Sequence, residues 1–273
     1  MPELPEVETI VRALQRGGQG CSPLLDKKVT GAIVLWARTI AEPRADLFVQ
    51  QIVGQSVRGV SRRGKFIRID LDRQVMLIHL RMSGDIRVED QVIALQPHDR
   101  LILNFVDGTR LAFNDARKFG RVWLVAEPES VIGGLGLEPL ERSFTPAALH
   151  RRLQNSARQI KPLLLDQTVI AGIGNIYADE ALHMARIHPM TPARKIDQEQ
   201  TRALWDAIRE VLREGIRRNG ASIDWVYRGG DFQNYFRVYQ RSGRACPECG
   251  TTIERVIVGQ RGTHICPCCQ VMK

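Results

Sequence analysis

The sequence predicts an α+β fold in two parts: a strand-rich N-terminal half closed as a sandwich or barrel, and a helical second half ending in a cysteine-ligated metal hairpin. Three observations predict it. Short runs of alternating apolar and polar residues fill positions 28 to 125, the pattern of half-buried strands. Beyond position 144 the apolar spacing lengthens to that of amphipathic helices. Five of the six cysteines fall in the last 28 residues. At 273 residues the chain is long enough for two cores.

The elements follow in order. Val7, Ile10, Val11 and Leu14 share one helical face, with Pro5 near its start and Gly17-Gly18 after it. Ile67, Ile69 and Leu71 alternate with Arg68 and Asp70, and Leu101, Leu103 and Phe105 repeat the pattern before an Asp107-Gly108 hairpin turn. Further strands are expected around 75–81, 84–88 and 121–125. The expected division is a strand domain over 1–130, a linker over 131–143, a helical domain over 144–235 and a metal hairpin over 236–273. Thr145 caps a helix with Pro146 at its first position. Leu204, Ile208, Val211, Leu212 and Ile216 form a long amphipathic helix closed by Asn219-Gly220.

Cys246 and Cys249, then Cys266 and Cys269, have the spacing of two zinc knuckles. Two intervening residues let both thiolates of a knuckle face one ion, and four sulfurs close a tetrahedral site. Such a zinc is structural, because it keeps no open position for water; a zinc-dependent hydrolase is thereby excluded. Cys268 competes with its neighbours at poorer spacing, and Cys21 stands alone. Between the knuckles, Ile253 to Val258 and Thr263 to Ile265 read as two strands about a Gly259–Gly262 turn that carries Arg261. An arginine on a basic zinc hairpin is suited to a phosphate.

Lys plus Arg exceed Asp plus Glu by 39 − 30 = 9. Seven of that surplus lie in 151–273, which points to an acidic partner, nucleic acid first. No apolar run reaches the roughly 18 residues of a membrane span, and the acidic opening is unlike a secretory signal, so a cytoplasmic protein is expected. Gly172 and Gly174 before a helix start offer backbone N–H groups to an anion, with Asn175 at the helix entrance.

Taken together, the motifs resemble those of the formamidopyrimidine-DNA glycosylases, bacterial repair enzymes for oxidised purines. The resemblance rests on Met1-Pro-Glu-Leu-Pro-Glu-Val-Glu-Thr9, Arg63-Gly-Lys65, His79-Leu-Arg-Met-Ser-Gly84 and Asp115-Ala-Arg-Lys-Phe-Gly120. It continues through Ile160-Lys-Pro162, Gly172-Ile-Gly-Asn-Ile-Tyr177 and the cysteine hairpin, in order over nearly the whole chain. It implies an N-terminal β-sandwich, a helix–two-turn–helix element over 161–186, one structural Zn2+, and damaged double-stranded DNA bound between the domains by a monomer on the nucleoid.

The resemblance also implies roles. With Met1 removed, Pro2 presents a secondary amine; an α-amino group titrates near about 8 and is partly nucleophilic at neutral pH. Its attack on the sugar expels the base and leaves an iminium, and β,δ-elimination then cuts the strand. Glu3 is the implied general acid/base, Glu6 an orienting group, Lys65 a phosphate contact assisting proton transfer, and Arg261 the hairpin arginine assisting elimination. His98, Arg117, Lys161 and Asn175 are implied DNA contacts. Met82, Arg117 and Phe119 would fill the gap left when the damaged base leaves the stack; on residue type alone, Met82 and Phe119 read as core.

The implied substrates are 8-oxoguanine and formamidopyrimidines. Oxidised pyrimidines, or damage binding without chemistry, are the alternatives. Leu4-Pro5 after Pro2-Glu3 favours the purine branch, and retention of Pro2, Glu3 and Lys65 favours catalysis. The sequence departs from the family at Arg81, where glycine is usual, and in a short, aromatic segment at 221–240.

Overall fold

The structure is a computed structural model and describes residues 1–18, 21–222 and 229–272. The chain divides into two compact units: Met1–Gly134 with Asn219–Gly230, and Leu135–Arg218 with Asp231–Lys273.

The first unit opens with α1 (Leu4–Arg16). Glu3 caps it in a reciprocal box. Its side chain accepts the Glu6 N–H, and the Glu6 carboxylate accepts the Glu3 N–H at 2.8 Å. Pro5 costs nothing in the first turn, where an N–H has no helical acceptor. The face formed by Val7, Ile10, Val11 and Leu14 is buried.

Two sheets follow. One runs in the order β1 (Val29–Val34), β7 (Asp99–Phe105), β8 (Thr109–Asp115), β6 (Gly84–Asp90), all antiparallel. The other runs β2 (Ile40–Glu42), β9 (Arg121–Val125), β5 (Val75–His79), β4 (Phe66–Leu71), β3 (Val57–Arg63), with only β2–β9 parallel. Ile67, Ile69 and Leu71 from one sheet share a core with Leu101, Leu103, Phe105 and Phe113 from the other, and α1 packs its apolar face into the same cluster. Of the two closures open to these strands, the chain has taken the sandwich. A helix not expected from the sequence, α2 (Ala45–Ile52), interrupts the strands and buries Phe48 and Ile52, one turn apart, in that core. A short α3 (Glu129–Ile132) ends the first segment of the unit.

The second unit contains α4 (Pro146–Gln154), α5 (Ile160–Leu164), α6 (Asn175–Met184) and α7 (Gln198–Arg217). Thr145 Oγ1 caps α4 by accepting the Ala148 N–H at 3.1 Å. Asp197 and Gln200 form a second reciprocal cap on α7, which starts a turn and a half earlier than its apolar stripe suggests. Gly215 lets α7 approach α6, since a Cβ there would stand 2.6 Å from the Tyr177 ring. The unit ends in a hairpin of β10 (Glu254–Val258) and β11 (Arg261–Ile265). Among the described residues, no helix is long and apolar enough to cross a membrane.

Candidate active site, nucleic-acid interface and zinc centre

In the first unit, α1 lies along the β3–β4 hairpin. Gln15, near its C-terminal end, donates to the Val60 carbonyl at 2.6 Å, and Glu8 pairs with Arg62 at 3.2 Å. Moving toward the start of α1 therefore moves toward the tip of the hairpin, where Arg63 pairs with Phe66 across a two-residue Gly64-Lys65 turn. Lys65 thus sits on a turn rather than within a strand. It is only 4% exposed, and Glu3 3%, so an amine and a carboxylate are both held out of bulk water at this end of the unit. Pro2 is partly exposed beside them in sequence. Glu6 is committed on both oxygens: one accepts from Glu3, the other from the Ala221 N–H at 2.7 Å. Ala221 precedes residues 223–228, so that part of the 221–240 segment lies outside the described residues.

His79, to which the sequence reading gave no role, belongs to this region. It pairs with Phe66 across β4–β5, and its Nδ1 accepts the Arg81 N–H at 3.0 Å. Burial, helped by the charges of Arg81 and Lys65, pushes its pKa down to about 3, so the ring is neutral beside Lys65. Arg81, at the position where the resemblance expects glycine, has φ +56°, the left-handed conformation that glycine adopts without strain.

A second group is organised by Asp115. This buried carboxylate accepts the Ser83 hydroxyl, the Arg117 N–H at 3.2 Å and the Gly120 N–H at 2.7 Å. Its own N–H donates to the His98 carbonyl at 3.0 Å. Asp115 therefore fixes the turn carrying Arg117 and Phe119 and the residue after Met82 through its side chain, and the backbone at His98 through its own N–H. Met82 and Phe119 are 41% and 49% exposed, which removes the core-packing reading; the Arg117 guanidinium lies 5.2 Å from the Phe119 ring centre. His98 and Arg117 are exposed. The signal for Asp115 was its place ahead of a tight turn, where aspartate caps backbone N–H groups.

In the second unit, Asn175 opens α6 and its Nδ2 donates to the Gly262 carbonyl at 3.0 Å; its Oδ1 is buried with no partner among the described residues. Lys161, implied by the resemblance as a DNA contact, is 0% exposed in this structure, with its ammonium 2.6 Å from the Asp179 carboxylate and 2.6 Å from the Thr263 hydroxyl. Placed there, it ties α5 and α6 to β11. Asp179 also accepts the His264 N–H at 2.9 Å. Arg261, next to Gly262, is exposed after the Gly259-Gln260 turn, where both residues have positive φ as a type I′ turn requires.

The four knuckle cysteines converge. The Sγ atoms of Cys246, Cys249, Cys266 and Cys269 all lie within 4.8 Å of one another, Cys249 and Cys266 at 3.4 Å. Sulfurs bound at about 2.3 Å around one tetrahedral ion stand roughly 3.8 Å apart, so the set fits zinc. Cys268 is exposed and stands outside the group. Val238 and Ile253 are the non-cysteine members of the surrounding apolar cluster, too little to fold the finger unaided, so the structural zinc supplies that energy.

Residues 1–122 match the formamidopyrimidine-DNA glycosylase N-terminal domain, 135–226 the H2TH domain of the same enzymes, and 243–271 the zinc finger found in FPG and IleRS. The chain belongs to the formamidopyrimidine-DNA glycosylase family. A formamidopyrimidine-DNA glycosylase of Protochlamydia amoebophila is 43% identical over 279 residues, covering 99% of each chain. The Lactococcus lactis Fpg (MutM), in complex with DNA containing N7-benzyl-Fapy-dG, superposes with a TM-score of 0.91 at 33% identity, covering 99% of this chain and all of that one. The same Lactococcus protein in complex with DNA containing an oxidised pyrimidine gives the same score, identity and coverage. As a member of this glycosylase family, the chain is a base-excision repair DNA glycosylase and abasic-site lyase.

Two outcomes follow from the geometry. Lys161→Met leaves Asp179 buried without its cation, so stability should fall by about 3–5 kcal/mol; urea denaturation of the zinc-loaded protein measures it, and a loss below about 1 kcal/mol contradicts the strut. His79 has its folded pKa depressed below the ordinary 6.5 to about 3. The unfolded chain takes up its proton first, so stability falls as pH drops from 6.5 toward 3, by at most about 1.4 kcal/mol per pH unit. His79→Asn should flatten that slope in denaturation curves taken across the same range.

Proposed function

We propose that the free imino group of Pro2, exposed once Met1 is removed, is the nucleophile of this glycosylase. In this reading the amine lone pair attacks C1′ of the damaged nucleotide, and the C1′–N bond breaks with its electron pair on the leaving base. Opening of the sugar ring gives an iminium. Its positive charge acidifies the C2′ hydrogen, and loss of that proton expels the 3′-phosphate; a second elimination expels the 5′-phosphate. Glu3 moves protons at the sugar and the departing base, and Lys65 neutralises the neighbouring phosphate and assists transfer. Arg261 holds flanking phosphates during the second elimination. Glu6 orients the amine.

The observation that carries this reading is the reciprocal cap at the start of α1. It fixes the Glu3 backbone, and with it the attachment of Pro2, and directs this end of the helix toward the tip bearing Lys65. DNA contact is assigned to exposed His98 and Arg117, and to Asn175 beside the anion-favouring entrance of α6. Met82, Phe119 and Arg117 enter the stack where the base has left; their exposure on turns held by Asp115 supports this. Lys161 acts as a strut for the hairpin that carries Arg261.

The substrate is duplex DNA bearing oxidised purines, 8-oxoguanine and formamidopyrimidines, as the Fapy-containing complex of the Lactococcus relative supports. The relative's complex with an oxidised pyrimidine supports a second reading in which such lesions are also accepted. The protein acts as a monomer on the nucleoid, in the cytoplasm.

Borohydride trapping tests the proposal. Processed wild-type protein should form a covalent adduct with a duplex carrying 8-oxoguanine. Glu3→Gln should lower base excision by about 10²–10⁴-fold, and protein retaining Met1 should trap nothing. Equal trapping with Met1 in place refutes Pro2 as nucleophile, and a parallel duplex with an oxidised pyrimidine ranks the two substrate classes.

A further inference from the structure

α6 meets the zinc finger through three polar side chains on adjacent positions of its surface. Asp179 receives the His264 N–H of β11, and Glu180 receives three successive backbone N–H groups, from Arg237 at 2.8 Å and from Val238 and Tyr239 at 2.9 Å each. The third is His183, one turn beyond Asp179 and therefore on the same face. Its Nε2 stands 3.4 Å from the Sγ of Cys246, a zinc ligand. His183 is 1% exposed, and its Nδ1 is buried with no partner among the described residues. Asp179 and Glu180 dock the backbone of the finger; His183 alone of the three faces a metal-binding atom.

We propose that His183 is a positioning residue of the zinc centre, donating its Nε2–H to the Cys246 thiolate and thereby slowing loss of the metal. The tautomer follows from the geometry. A proton on Nδ1 would point at no acceptor, while the bare Nε2 lone pair would face the lone pairs of an anionic sulfur. A proton on Nε2 instead lies between ring and sulfur at an ordinary N–H···S separation. Four thiolates on one Zn2+ leave a net charge of about −2, and a buried donor aimed at one of them spreads that charge into α6. The finger thereby gains a link from one of its ligands to the helix that begins at Asn175. Groups around a metal that orient its ligands are worth about ten- to a hundredfold in affinity, and the same scale applies here.

The inference rests on the zinc assignment, so elemental analysis of the full-length wild-type protein comes first: one zinc per chain confirms that basis independently of His183. Full-length His183→Phe and His183→Gln are then compared with wild type in zinc transfer to a chromophoric chelator. His183→Phe should release zinc about ten- to a hundredfold faster. His183→Gln, which keeps an N–H donor, should recover most of the difference. In the Co2+-substituted protein the sulfur-to-metal charge-transfer band should move to longer wavelength in His183→Phe and stay near wild type in His183→Gln. Wild-type release with an unmoved band in His183→Phe overturns the proposal. Should that variant fail to fold, imidazole 15N spectra of the wild-type zinc protein decide: protonation of His183 at Nε2 supports the inference, and protonation at Nδ1 refutes it.

Discussion

A carboxylate taken out of water must be supplied with donors, and this chain uses that requirement to fix segments on which the proposed site residues stand. Glu6 joins the start of α1 to the backbone at Ala221. Asp115 gathers Ser83, Arg117 and Gly120. Asp179 takes Lys161 and the backbone of His264, and Glu180 takes three amides in a row. Glu6, Asp115 and Glu180 take donors from irregular segments, whereas Asp179 joins regular elements, α5 and β11, to α6. Burial makes the bonds obligatory, because an unmatched charge inside costs more than any single bond returns.

This explains how exposed apolar side chains can be defined without a core of their own. Met82 and Phe119 leave much of their surface in water in the free protein, although side chains of their type are more often buried. They stand on turns tied to Asp115, one through the Ser83 hydroxyl and the other through the Arg117 and Gly120 N–H groups, so the polar network carries the cost of presenting them. Arg81 contributes on the same loop by a different route. It holds a left-handed backbone that a glycine would adopt freely, while its N–H is taken by a neutral His79.

Much of this was legible in the residues and some was not. The strand alternation of β4 and β7, the cap at Thr145, the Asn219-Gly220 stop and the cysteine spacing all report local rules, and the structure follows each one. What escaped was set by long-range company. The pattern at Phe48 and Ile52 is too short to separate a helix from its strand-rich surroundings. Lys161 pairs with Asp179, a turn into α6, and nothing in the residue types alone shows that partnership. Met82 and Phe119 have the composition of core residues; their exposure depends on a buried aspartate more than thirty positions away from Ser83. Residue type states what a side chain can do, and packing decides which of those things it is left free to do.

The same reasoning orders the second unit. Its finger has little apolar substance, so its orientation rests on metal ligation inside and polar docking outside. Both meet on α6, whose first residue, Asn175, binds Gly262 beside Arg261, and whose last turn brings His183 against a zinc ligand. A shift of the metal would therefore be felt at both ends of a helix only ten residues long. An exposed arginine at the strand end beside a two-residue turn has no intrinsic precision. It acquires some because its hairpin is held from below by Lys161, Asn175 and Asp179, and closed at the far end by four sulfurs that cannot move independently.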